Sequence, residues 1–235
     1  HLLIEGAPSE RRAFLDWGLF HVEQESREIS LKYNKVLRQR NEALRSMDKS
    51  HDRWTEELAS IGQDLSKMRE KYVSDIKAYL DQTRQHIMPK YDLNFVYYRG
   101  WDEQKSLLEA LQEKKDRDFE RGYTSQGPQN ADLKIYLDET EAHRICSRGQ
   151  QKLIANIMLL SQSKGFFEVK KYPSIILVDD LSAELTLEMQ EKILERLFET
   201  KSQIFLTALN DSVLADILSE MKASVFHVEH GEIVQ

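Results

Sequence analysis

The longest regular pattern in the sequence is an apolar seam that begins at Trp54 and ends at Pro89. Its apolar residues recur at alternating spacings of four and three, which is typical of a helix face that packs along another helix. The regular part comprises Trp54, Leu58, Ile61, Leu65, Met68 and Tyr72, and a less regular part continues through Ile76, Leu80 and Ile87. A helix of this length needs a partner.

The segment before this seam supplies a partner, because Ser9 to Met47 also has a helical pattern. It starts with a Ser cap followed by an acidic residue, and Gly18 is expected to break or kink it. Its apolar residues are Ile29, Tyr33, Val36, Leu37, Leu44 and Met47. Two amphipathic stretches joined by the short polar link "MDKSHD" predict a helical hairpin. We therefore predict a helical arm with its entry segment over residues 1–92.

Residues 93–235 have the pattern of a second domain of α/β class. "LNFVYYRGW" and Leu133–Leu137 are predicted strands, and Gly122 is the predicted C-cap of the helix between them. After Cys146, a helix from Gln150 to Ser163 is followed by strand "SIILV", helix "LTLEMQEKILERLFET", strand "SQIFLTAL", helix "DSVLADILSEM" and the terminal hairpin "ASVFHVEHGEIVQ". This alternation predicts a doubly wound sheet.

The overall charge of the chain does not favour nucleic-acid binding. Its 235 residues carry a net charge of -7, so any DNA contact needs a local basic patch. Two clusters of Lys and Arg could form such a patch. The alternative for both is a solvated helix face whose cations pair with the abundant Glu and Asp. The clusters are Lys32, Lys35, Arg38, Arg40 and Arg45, and Lys164, Lys170 and Lys171. The single Cys146 excludes an internal disulfide, and with no span or signal peptide evident we expect a cytoplasmic protein without membrane contact.

An acidic pair follows the apolar run of "SIILVDDLSAEL". Carboxylates at the C-terminal end of a parallel strand lie at the edge where α/β proteins bind ligands. Asp179 or Asp180 could hold the Mg²⁺ of a nucleotide, while its neighbour orients or activates the attacking water. The alternative is an acidic strand end that caps the following turn.

A polar helix start precedes this pair in "CSRGQQK". The first turn of a helix offers unpaired N–H groups and a partial positive charge to an anion. Gly149 would let a phosphate approach the backbone, and Ser147, Arg148 and Gln150 could donate to its oxygens. A plain helix N-cap is the alternative.

These motifs, in this order, resemble the RecF family within the SMC/Rad50/RecF group of ABC-type ATPases. The resemblance rests on "ERRAFLDWGLFHVE", "YNKVLRQRNEALR", "GPQNADL", "SRGQQK", "LVDDLSAEL" and "IFLTAL", and it covers nearly the whole chain. It implies an α/β fold, part of an ABC-type ATPase head (a P-loop NTPase fold) with an inserted helical-hairpin lobe.

The resemblance also implies roles for individual residues. Ser147, Arg148, Gly149 and Gln150 match the signature motif, which contacts the γ-phosphate of ATP held by the opposite subunit. Asp179 matches the acid that supports Mg²⁺, and Asp180 matches the catalytic acid. Ser182, Ala183 and Glu184 match the D-loop at the dimer interface. Thr207 falls where transporter ATPases carry a histidine that senses the γ-phosphate.

The implied protein is a DNA-binding recombination mediator with ATP and Mg²⁺ as cofactors. It would form an ATP-dependent homodimer, hydrolyse ATP slowly, and act at single-stranded/double-stranded gap junctions in repair and replication restart. RecR and RecO are the implied partners, and RecA is an indirect one.

The sequence departs from the family pattern in several places. Cys146 and Arg148 stand where transporter ATPases have Leu and Gly, and Asp180 is one methylene shorter than the usual Glu. "GPQNADL" lacks the His-Arg-Asp that usually follows Gly-Pro. No G-x-x-x-x-G-K-[ST] occurs, so we expect a C-terminal fragment that binds ATP weakly by itself and exposes apolar surface beside its sheet.

Two other functions remain open at this point. One keeps the ATPase fold but makes the protein a Rad50-like repair protein or a chromosome-organising protein, and the short hairpin argues against it. The other is a non-enzymatic scaffold whose helical arm binds protein partners.

Overall fold

A computed structural model describes residues 1–48, 51–182, 184–208, 219, 223–230 and 232–234. The chain divides into two compact units, residues 1–174 and 175–235, and each is described by itself. In these described ranges no helix has the length and apolar character needed to cross a membrane.

The long seam is a single helix, α4 (His51–Ile87), as predicted. It ends before Pro89, which cannot continue a helix and disfavours helical backbone in the residue before it. The seam residues that are buried are Leu58, Ile61, Leu65, Tyr72, Ile76, Leu80 and Ile87, while Trp54 and Met68 are half-buried.

Three helices precede α4, namely α1 (Leu2–Glu5), α2 (Pro8–Val22) and α3 (Ser26–Arg45). The helical pattern predicted over 9–47 is therefore interrupted after Val22. The expectation that Gly18 breaks the helix is wrong, because α2 continues through the buried Gly18 to Val22. A Cβ there would come within 1.9 Å of Tyr72 Oη and 2.5 Å of Gln162 Nε2, so the glycine permits close helix packing.

The predicted helical pair is confirmed by the packing of α3 against α4. Tyr33 and Val36 of α3 share an apolar cluster with Leu58, Ile61 and Leu65 of α4. The cluster also takes residues from α5 (Leu107–Glu113) and its surroundings, namely Trp101, Leu107, Ala110 and Leu111. The helical pair is thus joined to the segment that follows it in sequence.

The first unit also holds a small antiparallel sheet. Strand β1 (Leu93–Tyr98) pairs with β2 (Asp132–Leu137), which also pairs with β3 (Thr140–Glu141). Between β1 and β2 lie α5 and α6 (Lys115–Arg121). Gly122 ends α6 with φ +68, the left-handed conformation expected of a C-cap glycine.

A buried ion pair fixes α3 to α6. The side chains of Arg40 and Asp118 are 1% and 0% exposed, and Arg40 Nη1 donates to Asp118 Oδ2 at 3.0 Å. Arg40 also donates to Thr124 Oγ1 and Thr55 Oγ1, so its charge is compensated where water is excluded. Arg40 is therefore not part of a DNA-binding surface, which corrects its place in the first basic cluster.

The Gly-Pro turn consists of Gly127 and the short 3-10 helix Pro128–Asn130. It is held by side chains of the helices. Arg69 of α4 donates to the carbonyl of Pro128 at 2.9 Å and makes a bidentate pair with Asp16 of α2. Tyr33 donates to Gln129 Oε1. Burial tends to lower the pKa of Arg69, but the Asp16 carboxylate outweighs it and raises that pKa. The turn is therefore a junction of α2, α3 and α4.

Helix α8 (Arg148–Lys170) follows the short α7 (Ala142–Ile145) and is longer than the predicted 150–163. It starts earlier because Ser147 and Gln150 form a capping box, and it ends at Lys171, which adopts φ +61. It packs against α4 and α2.

The second unit contains the predicted parallel strands, β4 (Ile175–Val178) and β5 (Gln203–Leu206), with α9 (Leu187–Glu199) between them. Strands β6 (His227–Glu229) and β7 (Glu232–Val234) form the predicted terminal hairpin. The predicted helix over 211–221 lies outside the described residues except for Ser219. Ile175, Leu177 and Phe205 are exposed, which is apolar surface on the β4–β5 pair.

The structural division at 174/175 differs from the predicted boundary at 92/93, which lies inside the first unit. The arm over 1–92 and the head over 93–235 remain a predicted organisation.

We expect Arg40→Met to lower the free energy of unfolding by about 3–5 kcal/mol, because it leaves the buried Asp118 carboxylate without its cation. Urea unfolding measures this change. Arg38→Met is the matched control, since Arg38 is exposed on the same helix and should change stability by no more than about 0.5 kcal/mol. Equal, small effects of the two variants would contradict the proposed role of the ion pair.

Candidate functional site

The polar start of α8 is a capping box. Ser147 Oγ accepts from Gln150 N–H at 3.3 Å, and Gln150 Oε1 accepts from Ser147 N–H at 2.9 Å. Both side chains act as acceptors here, so the hydroxyl proton and the amide N–H groups still allow donation to an anion. Ser147 and Arg148 are exposed, and Gly149 and Gln150 are half-buried. The two interpretations of this motif, helix cap and phosphate contact, are therefore compatible.

Gln151 supports this helix start, although the sequence pattern singled out only its neighbours. Its side chain is 6% exposed and donates from Nε2 to the carbonyl of Cys146 at 3.2 Å. That bond holds the turn between α7 and α8. Burial, followed by the Asp138 charge, raises the pKa of the half-buried Cys146 thiol. The signal for Gln151 was its place on the inner face of the first helical turn.

Asp179 and Thr207 meet at the C-terminal ends of β4 and β5. The hydroxyl of Thr207 donates to Asp179 Oδ1 at 2.7 Å, and it accepts from the backbone N–H of Asp180 at 2.9 Å. Parallel pairing places the ends of both strands at the same edge, as the sequence predicted. Thr207 thus contacts the acidic pair directly.

Asp180 has an unusual backbone conformation. Its φ of +45 lies in the left-handed region, which non-glycine residues seldom adopt, although Asp adopts it more readily than most. Ser182 Oγ donates to Asp180 Oδ1 at 2.9 Å. The conformation turns the chain immediately after the strand and orients the second carboxylate of the pair.

The D-loop residues are only partly described. Ser182 contacts Asp180, and Glu184 follows with φ +63. Ala183 lies outside the described residues. The role of this segment at a dimer interface remains a prediction.

The donor set of the acidic pair fits Mg²⁺. Thr207 occupies one oxygen of Asp179, while Oδ2 has no hydrogen-bond partner among the described residues and is chemically able to bind a hard cation. Among the described residues, no group of three or more His, Cys, Asp or Glu side chains is placed to hold a metal ion. Mg²⁺ commonly takes only one or two carboxylates and completes its shell with phosphates and water, so a single carboxylate such as Asp179 is chemically compatible with it.

The predicted site residues therefore fall into two groups. Asp179, Asp180, Ser182 and Thr207 are brought together within the second unit. The signature residues Ser147, Arg148, Gly149 and Gln150 lie together in the first unit.

The first basic cluster retains four of its five members on the surface of α3. Lys32, Lys35, Arg38 and Arg45 are exposed. Within the described ranges, Lys32 and Lys35 form no ion pair with a carboxylate, unlike Lys67 and Lys71 on α4. Lys171 of the second cluster pairs with Glu168 at 3.0 Å. Lys164 and Lys170 of that cluster are half-buried, so the exposed surface of α3 is the better candidate for contacts with phosphates.

Comparison with known proteins agrees with the motif order. No family model matches the chain. It is 36% identical over 241 residues to the DNA replication and repair protein RecF of Chromohalobacter salexigens, and 38% identical over 237 residues to that of Pseudomonas aeruginosa (strain LESB58). Each alignment covers 99% of this chain. The chain belongs to the RecF family.

The chain spans 65% and 64% of the lengths of those two RecF proteins. Two solved structures, of the recombination mediator protein RecF in the RecFOR pathway with ATP and with ATPrS, share its fold with TM-scores of 0.78 and 0.79. They are 22% identical in sequence, and they cover 90% and 99% of this chain, which covers 60% and 64% of theirs. The fold is therefore α/β and is that of part of a RecF ATPase head.

The Gly-Pro turn departs from the RecF pattern, and the structure accounts for its residues locally. Gln129 accepts from Tyr33 and donates from Nε2 to the carbonyls of Thr124 and Gln126. Asn130 donates to the carbonyl of Ser125. These bonds keep the turn closed without the usual His-Arg-Asp.

We expect Ser147→Ala to lower the free energy of unfolding by about 1 kcal/mol, because it removes the side-chain cap of α8. Ser147→Asn retains a capping oxygen and should lower the free energy of unfolding by only about 0.3 kcal/mol. Urea unfolding without nucleotide measures both. Equal stability of the Ala variant and the wild type would show that the capping box does not form in solution.

Proposed function

We propose that this chain is part of a RecF-like, ATP-dependent recombination mediator that binds DNA. The observation that carries the proposal is the joint presence of two features in a chain homologous to RecF over 99% of its length. One is the start of α8, which matches the signature motif and is called the signature helix below, and the other is the acidic pair Asp179–Asp180 bonded to Thr207. The proposal includes slow hydrolysis of ATP, action in DNA gap repair and replication restart, and a cytoplasmic location.

Each residue of the acidic pair has a separate role in this proposal. Asp179 would hold Mg²⁺, which neutralises phosphate charge when bound with ATP. Asp180 would orient or activate the attacking water, and its carboxylate is already directed by Ser182. Its short side chain and its fixed backbone fit a slow hydrolase, because the acid cannot approach the water as a glutamate would.

The signature helix would act on a nucleotide held by a second copy of the protein. Its first turn offers backbone N–H groups, the Ser147 hydroxyl and the Gln150 amide on an accessible surface. No phosphate-binding loop of the G-x-x-x-x-G-K-[ST] type occurs in these 235 residues, so this chain supplies only part of a nucleotide site. An ATP-dependent homodimer would bring the signature helix of one copy to the nucleotide bound by the other copy.

DNA would contact the exposed cations of α3. Lys32, Lys35 and Arg38 lie on one broad surface of that helix, and the two lysines lack carboxylate partners among the described residues. Unpaired surface cations suit the phosphate backbone, whose neutralisation releases counterions. A gap junction is the proposed substrate, with RecR and RecO as protein partners and RecA as an indirect one.

The scaffold alternative assigns no chemistry to the acidic pair. Bonds to Thr207 and Ser182 orient the two carboxylates separately, and such bonds can also cap a structural strand end. Homology to RecF over 99% of the chain favours the ATPase over the scaffold.

We expect Asp180→Asn to reduce ATP turnover by the full-length protein about 100-fold or more while ATP binding persists, because the amide cannot accept a proton. Single-turnover hydrolysis and nucleotide titration measure the two quantities. Asp64→Asn is a control, since Asp64 lies exposed on α4. Unchanged turnover in the Asp180 variant would contradict the catalytic role of Asp180, and full biological function without turnover would support the scaffold.

We expect the combined change Lys32→Gln, Lys35→Gln and Arg38→Gln to weaken binding of the full-length protein to gapped DNA. The slope of log affinity against log salt should become shallower by up to about 3, or roughly one for each lost phosphate contact. Fluorescence anisotropy over a salt series measures it. The control removes three charges from α4 with Lys67→Gln, Lys71→Gln and Lys77→Gln, and equal effects of both sets would refute a specific surface on α3.

A further inference from the structure

The end of β5 bonds to the acidic turn through both the main chain and the side chain of one residue. The backbone N–H of Thr207 donates to the Val178 carbonyl at 2.9 Å, and its own carbonyl accepts from Leu181 N–H at 3.2 Å. Between these two bonds, its hydroxyl contacts Asp179 and Asp180. Thr207 is therefore bonded to every residue from Val178 to Leu181.

The hydroxyl of Thr207 has a single proton, and that proton is already donated. A threonine hydroxyl donates one hydrogen bond and accepts up to two. Here the donor is directed at Asp179 Oδ1, and one acceptor position is taken by Asp180 N–H. A sensor of the γ-phosphate would need that proton for a phosphate oxygen. In this arrangement, contact with a phosphate would require Asp179 to lose its bond.

The backbone of Asp180 needs such support. A non-glycine residue at φ +45 occupies a sparsely populated region and keeps it where its surroundings over-determine the conformation. The bond from Asp180 N–H to Thr207 Oγ1 holds the main chain, and Ser182 holds the carboxylate. The two bonds constrain opposite ends of the same residue.

We propose that Thr207 is a positioning residue that clasps the turn from Val178 to Leu181 and fixes both carboxylates, and is not a sensor of the γ-phosphate. One consequence is that Asp179 presents Oδ2 in a set direction while Oδ1 stays bonded to Thr207. Another is that the orientation of Asp180 depends on the same hydroxyl. The inference rests on the proposed nucleotide site for its functional meaning, but its structural content can be tested without nucleotide.

The first experiment is amide hydrogen exchange of the full-length protein without nucleotide. Thr207→Val keeps the β-branched shape but removes the hydroxyl, so the Asp180 amide should exchange about tenfold faster. Thr207→Ser should retain most of the protection. The Leu181 amide is an internal control, because its acceptor is the main-chain carbonyl of residue 207 in every variant. Unchanged exchange at Asp180 in Thr207→Val would overturn the proposal.

The second experiment compares Mg²⁺-dependent binding of ATP and of ADP by the same variants. A positioning role predicts that Thr207→Val weakens both nucleotides alike and that Thr207→Ser restores both. A selective loss of ATP affinity would identify a γ-phosphate sensor and overturn the proposal. If the wild type bound neither nucleotide, the proposed function would fail, while the exchange result would still decide whether Thr207 holds Asp180.

Discussion

The first unit depends on helix α4, which packs against α2, α3, α5, α8, β1 and the Gly-Pro turn. Besides apolar contacts, this helix contributes the buried Arg69, which bonds to two other segments. Its guanidinium pairs with Asp16 on one side and bonds to the Pro128 carbonyl on the other, so three segments distant in sequence share one buried cation. Since a buried charge is costly unless it is compensated, loss of either contact would destabilise the association of these segments. The packing of α8 against α4 then places the polar start of α8 on the same framework.

The helices and strands with a clear hydrophobic period, and the ends marked by Pro or Gly, could be predicted from the sequence. The seam of α4, its end before Pro89, the Gly122 cap and the parallel strand before Asp179 all follow from local rules of spacing and capping. The failures involve contacts between distant segments. Gly18 indicates a helix break by propensity, but Tyr72 and Gln162 require the absence of a side chain there. Arg40 resembles its exposed neighbours in sequence, and only the fold brings Asp118 to it.

In the candidate site, too, the local features could be predicted from the sequence and the contacts between distant residues could not. The residue types and their order predicted an acidic strand end and a polar helix start, and both lie where strand and helix geometry put them. The bonds within the acidic strand end could not be predicted, because Thr207 contacts Asp179 only through the pairing of β4 with β5. The candidate functional groups are also structural here, since Ser147 and Gln150 cap a helix and Thr207 holds a turn. A substitution at these positions changes stability and chemistry together, so stability must be measured before a loss of activity is interpreted.

If the start of α8 acts on a nucleotide held by another copy of the protein, two inactive full-length variants should restore activity when they are mixed. Gly149→Glu places a carboxylate in the first turn of α8, where the helix dipole tolerates it but a phosphate is repelled. Asp179→Ala removes the proposed Mg²⁺ ligand. A mixed dimer contains one site with both parts intact, so ATP hydrolysis should reappear on mixing although neither variant hydrolyses ATP alone. No recovery in a mixture shown to contain mixed dimers would contradict a site shared between subunits.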